Sequence, residues 1–229
     1  MKLLIIAPHQ DDETIGCGGL IQKVTKRGGI VHVAILTNVS EGQKFDNASG
    51  KYKQYSGKQR DNEFKNAIEI LKQRPNSISW ECYFGEKWHH CLDKLNLSEI
   101  INRIEQTVLF FKPDILAFPS ESWDQDHQVT NRACMSVIRP HFFSKSVLVY
   151  EVCGENHTYV PNLFITLSDE EAKRKIDALK CYNSQNIEKF HVTSDMSIQT
   201  NMHYRGKAVF AGNAETYMAL RIVNNLKMF

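Results

Sequence analysis

The sequence predicts an α/β domain with a mostly parallel sheet, and three observations support this prediction. Short apolar runs at 3–7 and 30–37 have the length of buried strands. The segment between them carries apolar residues at helical spacing, so residues 3–37 form a strand–helix–strand unit, which implies parallel strands. A histidine and three acidic residues follow soon after the first strand. Because ligands bind beyond the carboxyl ends of such strands, we expect a Rossmann-like, three-layer domain with its catalytic site at that edge.

Length and composition narrow the class of protein. The 229 residues favour a single domain over 1–229, and 42% hydrophobic with 24% charged residues suffices for an ordinary buried core. A formal net charge of +2 gives no electrostatic footprint for binding nucleic acid or an anionic membrane. No apolar run approaches the length of a transmembrane segment, and polar residues from position 9 onwards interrupt any signal-peptide pattern. The six cysteines form no Cys-x-x-Cys pair, so a cytoplasmic enzyme with reduced thiols is expected.

The N-terminal half continues the alternation of helices and strands. Apolar spacing predicts helices over 13–27, 56–72 and 97–111 and strands over 78–84 and 115–118. Gly28-Gly29 and Lys112-Pro113-Asp114 are residues that end helices. The polar stretch 38–58 is predicted to be a substrate-facing loop or a disordered segment. His32 lies inside the second strand and is predicted to belong to the core or the sheet face rather than to a ligand site.

The C-terminal half shows a similar but less regular pattern. It predicts a helix over 128–138 and strands over 145–153 and 161–167. A capping-box pattern from Ser168 to Glu171 then predicts a helix that runs to about residue 182.

The first chemical motif is His9-Gln10-Asp11-Asp12-Glu13, which comes directly after Pro8. An imidazole and a carboxylate three residues apart can bind one cation from a tight loop, as His9 and Asp12 would do. Asp11 would then face a water molecule at the metal rather than the metal itself. The alternative is a solvated acidic turn in which Asp11 or Asp12 is the N-cap of the following helix.

This motif resembles the opening of the PIG-L/LmbE-like zinc-dependent N-deacetylases. Their pattern is Ala/Pro-His-Pro-Asp-Asp-Glu followed by a glycine-rich helix start, which Gly16-Cys17-Gly18-Gly19 matches. Gln10 replaces the family's proline, a change that affects the stiffness of the turn and not the ligands. The resemblance extends over residues 1–222 and is most specific at 8–19 and 119–131.

A second motif follows the predicted strand 115–118, where the family has His-x-Asp-His. His127 matches the last histidine, which is the family's third zinc ligand, and Asp126 matches the acid before it. Two motifs that each follow a predicted strand seldom arise together by chance. The resemblance implies a single catalytic Zn²⁺, with Fe²⁺ as an alternative, bound by His9, Asp12 and His127.

The resemblance also implies roles for neighbouring residues. Asp11 would act as the general base, and Glu13 and Asp126 would support the ligands. Arg60-Asp61-Asn62-Glu63 matches an Arg-x-x-Glu pattern whose arginine contacts the substrate sugar, although the spacing alone equally fits a surface ion pair. Tyr182-Asn183-Ser184-Gln185 fits a further family pattern, and residues 203–222 resemble the family's last helical segment.

Asp124 is the one serious departure, because the family has a histidine at its position. That histidine stabilises the developing oxyanion or protonates the leaving group, whereas a carboxylate near Zn²⁺ would repel the oxyanion. Three roles stay open for Asp124: it orients a histidine from elsewhere, binds zinc as a fourth ligand, or is a solvated acid. The first is preferred because zinc hydrolases usually pair the metal with a second electrophilic group. The histidines considered for this role are His89, His90, His157, His191 and His203.

The function implied by the resemblance is removal of an N-acetyl group from an amino sugar, with release of acetate. The substrate would be a small glycoconjugate, glycoside or sugar nucleotide of the N-acetylglucosamine type, and a homo-oligomer is compatible with the sequence. One alternative is a catalytically impaired metal- or sugar-binding homologue, which Asp124 suggests. A nucleotide-dependent transferase is the other, because acidic clusters also bind Mg²⁺–phosphate, but His9 and His127 argue against it since Mg²⁺ prefers oxygen ligands.

Overall fold

The computed structural model of the chain describes residues 1–39, 41–46, 51–154, 156, 158–185 and 194–223. Its centre is a seven-stranded sheet with the strand order β5-β2-β1-β6-β7-β9-β8, and β3 and β4 form a separate two-stranded sheet. The strands are β1 (Lys2–Ala7), β2 (Ile30–Ile35), β3 (Glu41–Asp46), β4 (Lys51–Ser56), β5 (Ile78–Cys82), β6 (Ile115–Pro119), β7 (Ser146–Tyr150), β8 (Leu163–Leu167) and β9 (Asn213–Arg221).

The main sheet is mostly parallel, as the sequence predicted. Strands β5, β2, β1, β6 and β7 run in one direction, and β9 is antiparallel to both of its neighbours. In the centre, β1 pairs with β2 along its whole length, from Lys2 opposite Ile30 to Ala7 opposite Ile35. On its other side β1 pairs with β6. The carboxyl ends of β1 and β6 are therefore neighbours at one edge of the sheet.

Helices cover both faces of this sheet. Leu3, Ile5 and Ala7 belong to one buried core with residues of α1, α2, α5 and α6, whereas Leu4 and Ile6 belong to a second core with α3 and α4. Successive side chains of a strand point to opposite faces, and full burial of each Leu or Ile contributes about 1.5–3 kcal/mol. This confirms the three-layer α/β prediction. The helices are α1 (Asp12–Lys26), α2 (Gly57–Leu71), α3 (Leu97–Phe111), α4 (Gln125–Val137), α5 (Asp169–Leu179) and α6 (Asp195–Lys207).

The glycine-rich start of α1 lets the helix approach the sheet closely. A Cβ atom added at Gly16 would overlap the ring of Tyr150, which is fully buried on β7. The hydroxyl of Tyr150 in turn donates to the carbonyl of Ile6, 3.0 Å away, near the end of β1. The glycines therefore fix the position of the turn that joins β1 to α1.

The prediction that 38–58 is a loop or a disordered segment was wrong for most of the stretch, whereas its position facing the substrate stays a prediction. Within this stretch β3 and β4 form an antiparallel ribbon in which Glu41 pairs with Ser56. Residues 40 and 47–50 lie outside the described part of the chain. A two-stranded ribbon exposed to water needs no apolar periodicity, so its polar sequence looks like a loop. Ser56 then caps α2 by accepting a hydrogen bond from the amide of Gln59.

Two further boundaries differ from the predictions. Helix α4 begins at Gln125 rather than at residue 128 because Asp124 is its N-cap. Of the segment 203–222, only the part up to Lys207 is helical, and β9 occupies Asn213–Arg221 between β7 and β8. Residues 213–221 form a strand because they pair with β7 and β8 in the sheet, and local sequence does not reveal such pairing. Over the described ranges, no helix is both long and apolar enough to cross a membrane.

Candidate metal centre and catalytic site

The two sequence motifs meet at the carboxyl edge of the sheet. His9 and Asp12 follow β1, and His127 is in the first turn of α4, shortly after the neighbouring strand β6. One ligand atom from each of these three residues lies within 4.8 Å of the others. Asp12 is central, since its Oδ2 lies 3.6 Å from Nδ1 of His9 and 3.3 Å from Nε2 of His127. The turn is closed by the amide of His9, which donates to the same carboxylate oxygen at 3.0 Å.

This arrangement fits a divalent transition metal. Three residues from two chain segments converge, two of them through imidazole nitrogens, which Zn²⁺ and Fe²⁺ accept readily. Nδ1 of His127 is buried and has no hydrogen-bond partner among the described residues, so Nε2 is the nitrogen directed at the set. The proximity of the two imidazoles keeps the pKa of Asp12 well below its usual range, although burial opposes this effect. The set supplies three protein ligands, which is the number found in catalytic zinc sites.

Asp126 lies behind His9, on the side away from Asp12. Its Oδ2 is 3.0 Å from Nε2 of His9, and the carboxylate is fully buried. The amides of His90 and Leu92 donate to the same carboxylate at 2.8 and 3.0 Å. A carboxylate on the second nitrogen of a ligating histidine fixes the tautomer and orientation of the ring. Burial alone would lower the pKa of His9, but hydrogen bonds to Asp12 and Asp126 raise it to about 10 in the metal-free protein.

Asp11 lies in a strained turn beside the ligands. Its φ of 126° is unfavourable for a residue with a side chain and is maintained by Glu13, whose Oε2 accepts from the amide of Asp11 at 3.0 Å. Burial raises the pKa of Asp11, while the Arg60 guanidinium opposes this. Glu13 is fully buried and accepts from the hydroxyl of Tyr182 at 2.6 Å. Burial raises the pKa of Glu13 to about 7 despite these hydrogen bonds.

Arg60 is enclosed next to Asp11 rather than exposed on the surface of α2. Only 3% of the residue is exposed, and its Nη2 donates to the carbonyl of Gln10 and lies 3.3 Å from Oδ2 of Asp11. Its Nη1 lies 3.7 Å from Oε2 of Glu63, and Glu63 in turn accepts from the amide and hydroxyl of Ser184. The surface-pair interpretation of Arg60 and Glu63 is therefore wrong.

Asp124 has a structural role that the sequence analysis did not foresee. Its Oδ1 accepts hydrogen bonds from the amides of Asp126 at 2.8 Å and His127 at 3.3 Å, so it caps the helix that carries His127. Its Oδ2 is 3.9 Å from Nδ1 of His90. Asp124 belongs to neither of the two potential metal-binding groups found in the described ranges.

His89 and His90 come close to the metal set from the loop that follows β5. Their ring centroids lie 4.9 and 5.4 Å from that of His9. Of the other histidines considered as partners of Asp124, His203 lies exposed on α6, and His157 and His191 fall outside the described residues. Among the histidines that the structure describes, His90 is the one within ion-pair distance of Asp124.

The sequence of the chain also matches a known protein family. The PIG-L model, described as GlcNAc-PI de-N-acetylase, matches residues 4–138, which include both motifs and the elements from β1 to α4. The chain belongs to the PIG-L family. The family assignment suggested by the sequence motifs is thereby confirmed.

The relatives of this PIG-L member include deacetylases. Diacetylchitobiose deacetylase of Thermococcus kodakarensis is 26% identical over 226 residues, which cover 90% of this chain and 78% of that protein. The crystal structure of the conserved protein TT1542 from Thermus thermophilus matches with a TM-score of 0.75 and 18% identity, covering 98% and 97% of the two chains. The zinc-inhibited form of the teicoplanin deacetylase Orf2 matches with a TM-score of 0.72 and 16% identity, covering 96% and 97%. At these identities the two structural matches establish a common fold.

Several residues of this PIG-L site were missed or left without a role in the sequence. Tyr182 contacts Glu13, and Ser184 contacts Glu63, from a segment that was noted only as a recurring pattern. His90 was one of five histidines considered as a partner of Asp124, and the sequence did not single it out. Its approach to Asp124 depends on the docking of the loop after β5 against α4, and residue spacing does not encode that contact.

Proposed function

We propose that the chain is a metal-dependent hydrolase that removes an N-acetyl group from an amino sugar and releases acetate. The observation that carries this proposal is the convergence of His9, Asp12 and His127 beside Asp11 at the carboxyl edge of the sheet. Membership of the PIG-L family and the deacetylase relatives support the same reaction. The catalytic ion is Zn²⁺, with Fe²⁺ as the alternative, and one ion is expected per chain.

His9, Asp12 and His127 would hold this ion. When bound, Zn²⁺ in such a site lowers the pKa of a coordinated water towards ~7 and polarises the carbonyl of the substrate amide. Asp126 orients His9 through its second nitrogen, and Asp124 supports His127 by capping α4. Two imidazoles and one carboxylate leave the set with a single negative charge, which suits a divalent ion that must stay electrophilic.

Asp11 is the proposed general base. Its carboxylate accepts the proton of the attacking water, so that the oxygen of that water bonds to the acetamide carbon. The same carboxyl later donates this proton to the nitrogen of the leaving amine as the carbon–nitrogen bond breaks. Burial raises the pKa of Asp11, and a higher pKa makes its carboxyl group a better acceptor of the proton in the first step. Arg60 and Glu13 hold Asp11 in place from either side.

The substrate is expected to be a small molecule of the N-acetylglucosamine type. The family description and the diacetylchitobiose deacetylase relative support an N-acetylated glucosamine unit. A contact from Arg60 to a sugar hydroxyl stays a prediction, and in this structure the guanidinium reaches the site through Asp11 and the carbonyl of Gln10.

The test is a screen for acetate release from N-acetylated amino sugars, supplied free, as glycosides and as nucleotide sugars. Metal analysis of protein purified without a chelating column accompanies it. Stoichiometric zinc or iron with acetate release supports the proposal. Stoichiometric metal without acetate release from any N-acetyl sugar would favour the impaired homologue that Asp124 suggested. Protein that binds Mg²⁺ but no transition metal would instead favour the nucleotide-dependent transferase.

A further inference from the structure

A second group of metal-type ligands lies against the first. It comprises His9, His90 and Asp126, each of which offers one ligand atom within 4.8 Å of the others. We propose that this group is a second Zn²⁺ site, filled only when zinc is in excess, and that filling it stops deacetylation. The inhibitory part of this inference rests on the proposed function, whereas the binding part does not.

The two groups use opposite sides of the same imidazole. Nδ1 of His9 faces Asp12, and its Nε2 lies 3.0 Å from Oδ2 of Asp126. The two nitrogens of an imidazole point in different directions, so ions on each side would not occupy the same space. A spacing of about 3 Å between a nitrogen and a carboxylate oxygen is also compatible with binding a single zinc at about 2.0–2.2 Å from each.

The loop that carries His90 is fixed in a way that leaves its imidazole accessible. The amide of His90 donates to Asp126 at 2.8 Å, and its carbonyl accepts from the side-chain amide of Gln125. His90 has a φ of 56°, a left-handed conformation that histidine, asparagine and aspartate adopt more often than other residues with side chains. Yet 62% of its side chain is exposed, so an ion from solvent can reach it. Oδ2 of Asp124 lies 3.9 Å from its Nδ1 and adds a negative charge next to the site.

This site should be the weaker of the two. With the first site filled, Nε2 of His9 carries the proton that it donates to Asp126. A second zinc must take the electron pair of that nitrogen, so the N–H bond breaks, the proton passes to the solvent and a Zn–N bond forms. The hydrogen bond between His9 and Asp126 is lost, and two dications share one ring. The second ion therefore binds after the first and releases a proton as it does so.

Loss of the hydrogen bond between His9 and Asp126 explains why the second ion would inhibit deacetylation. Asp126 orients His9 as a ligand of the first ion only while it accepts the proton on Nε2. A second zinc on that nitrogen removes this contact and draws His90 towards the ring. It also places a positive ion beside the exposed imidazole of His90, where the ion would obstruct a substrate that enters from the solvent on that side.

The experiment titrates metal-stripped protein with Zn²⁺ and measures bound zinc and, separately, acetate release. The test variant is His90→Asn, because asparagine tolerates the left-handed backbone of this position. The control is His141→Gln, which removes an exposed imidazole beyond the end of α4, at the opposite edge of the sheet. Each protein is normalised to its own turnover at one equivalent of zinc, and thermal unfolding confirms that each is folded.

The parent and His141→Gln are expected to bind a second equivalent and to lose turnover as it binds. His90→Asn should bind the first equivalent normally and need about tenfold or more zinc for the second. A parent that binds one equivalent only, or a His90→Asn protein that binds the second as tightly as the parent, would overturn the proposal. Because bound zinc is measured without substrate, this result stands even if no acetylated sugar is hydrolysed.

Discussion

Two histidine–carboxylate clusters in this protein look alike in composition and differ in what they can do. His32 on β2 has Ser79 Oγ at 2.8 Å from Nδ1 and Glu81 Oε1 at 3.0 Å from Nε2, so both ring nitrogens have a protein partner. Glu81 also accepts from Arg103 and Thr107. A cavity of about 440 Å³ lies beside this cluster. In the metal centre, by contrast, one carboxylate oxygen of Asp12 faces two imidazoles.

The difference shows what makes a histidine–carboxylate pair a metal site. Around His32 each acceptor meets a donor, so the cluster is satisfied by protein alone. Around Asp12, two nitrogens and an oxygen converge on one point, and that convergence is favourable only if a cation or a proton is shared among them. The cavity beside His32 therefore does not mark the chemistry, whereas the convergence of nitrogen and oxygen lone pairs around Asp12 does.

The sharpest test of the difference between the two clusters replaces Asp12 in the metal centre and His32 in the other cluster. Asp12→Ala should abolish stoichiometric metal binding and all measurable acetate release, because the central ligand is lost. His32→Gln should retain the metal and its turnover and lower the free energy of unfolding by about 1 kcal/mol, as for a hydrogen bond. Metal analysis, acetate release and chemical denaturation measure these effects. Loss of metal in His32→Gln would contradict the distinction between the two clusters.

Within the metal centre, Asp11 should differ from Asp12. Asp11→Asn is expected to keep the metal and to reduce turnover by about 10²-fold or more, which is the usual contribution of a general base. Metal content and kcat are measured on the same preparation. If Asp11→Asn lost the metal as completely as Asp12→Ala, the roles of the two acids would have to be exchanged.

Replacing Arg60 is expected to lower activity by changing the catalytic site and not only by destabilising the fold. Arg60→Ala is expected to leave metal content unchanged and to lower kcat/KM by about tenfold or more, since a charge-assisted hydrogen bond contributes about 1.5–3 kcal/mol. A higher KM would indicate a substrate contact, and a lower kcat would indicate an effect through Asp11. Lys72→Ala, which removes a surface ion pair with Glu69 at the end of α2, is the matched control and should change neither constant. An unchanged kcat/KM in Arg60→Ala would exclude both roles.

Metal affinity should depend on pH. In the metal-free protein the carboxylates of Asp12 and Asp126 raise the pKa of His9 to about 10 against the opposing effect of burial, so His9 holds an extra proton at neutral pH. The metal must displace that proton, and affinity should therefore weaken as pH falls, by about tenfold per unit for one proton. Calorimetric titration in buffers of different ionisation enthalpy counts the protons released. Binding without proton release would show that His9 is neutral in the free protein.

Asp124 should give the smallest effect of the five. Asp124→Ala is expected to keep the metal but to slow turnover and to weaken the start of α4 by about 1 kcal/mol, as for other N-caps. Asp124→Asn retains a capping acceptor and should restore most of the lost stability. If Asp124 orients His90, the turnover losses of Asp124→Ala and His90→Asn should not add in the double variant. Additive losses, or parental turnover in both single variants, would rule out that coupling.

Local sequence was sufficient to predict the helices and strands whose side chains are buried in a regular pattern. The short apolar run of β1 and the helical spacing of α3 predicted both elements, and α3 was predicted with the observed bounds, Leu97–Phe111. The β3–β4 ribbon was missed because a water-exposed ribbon has no apolar pattern. The start of α4 was missed because helix capping was not among the roles considered for Asp124. His9, Asp12 and His127 could be chosen together because both motifs resemble those of the family and each motif follows a predicted strand.

The sequence by itself determined six strands of the main sheet, the ligand types and the edge of the sheet where the ligands would meet, since strand direction places the ends of β1 and β6 together. Tertiary structure alone decided which neighbours those ligands have. Asp126 reaches the far nitrogen of His9, Arg60 is enclosed against Asp11, and His90 approaches Asp124. These contacts join residues between 34 and 117 positions apart, and they exist because separate loops and helices pack on one sheet edge. Spacing along the chain records the periodicity of an element, whereas packing between elements has no such local signature.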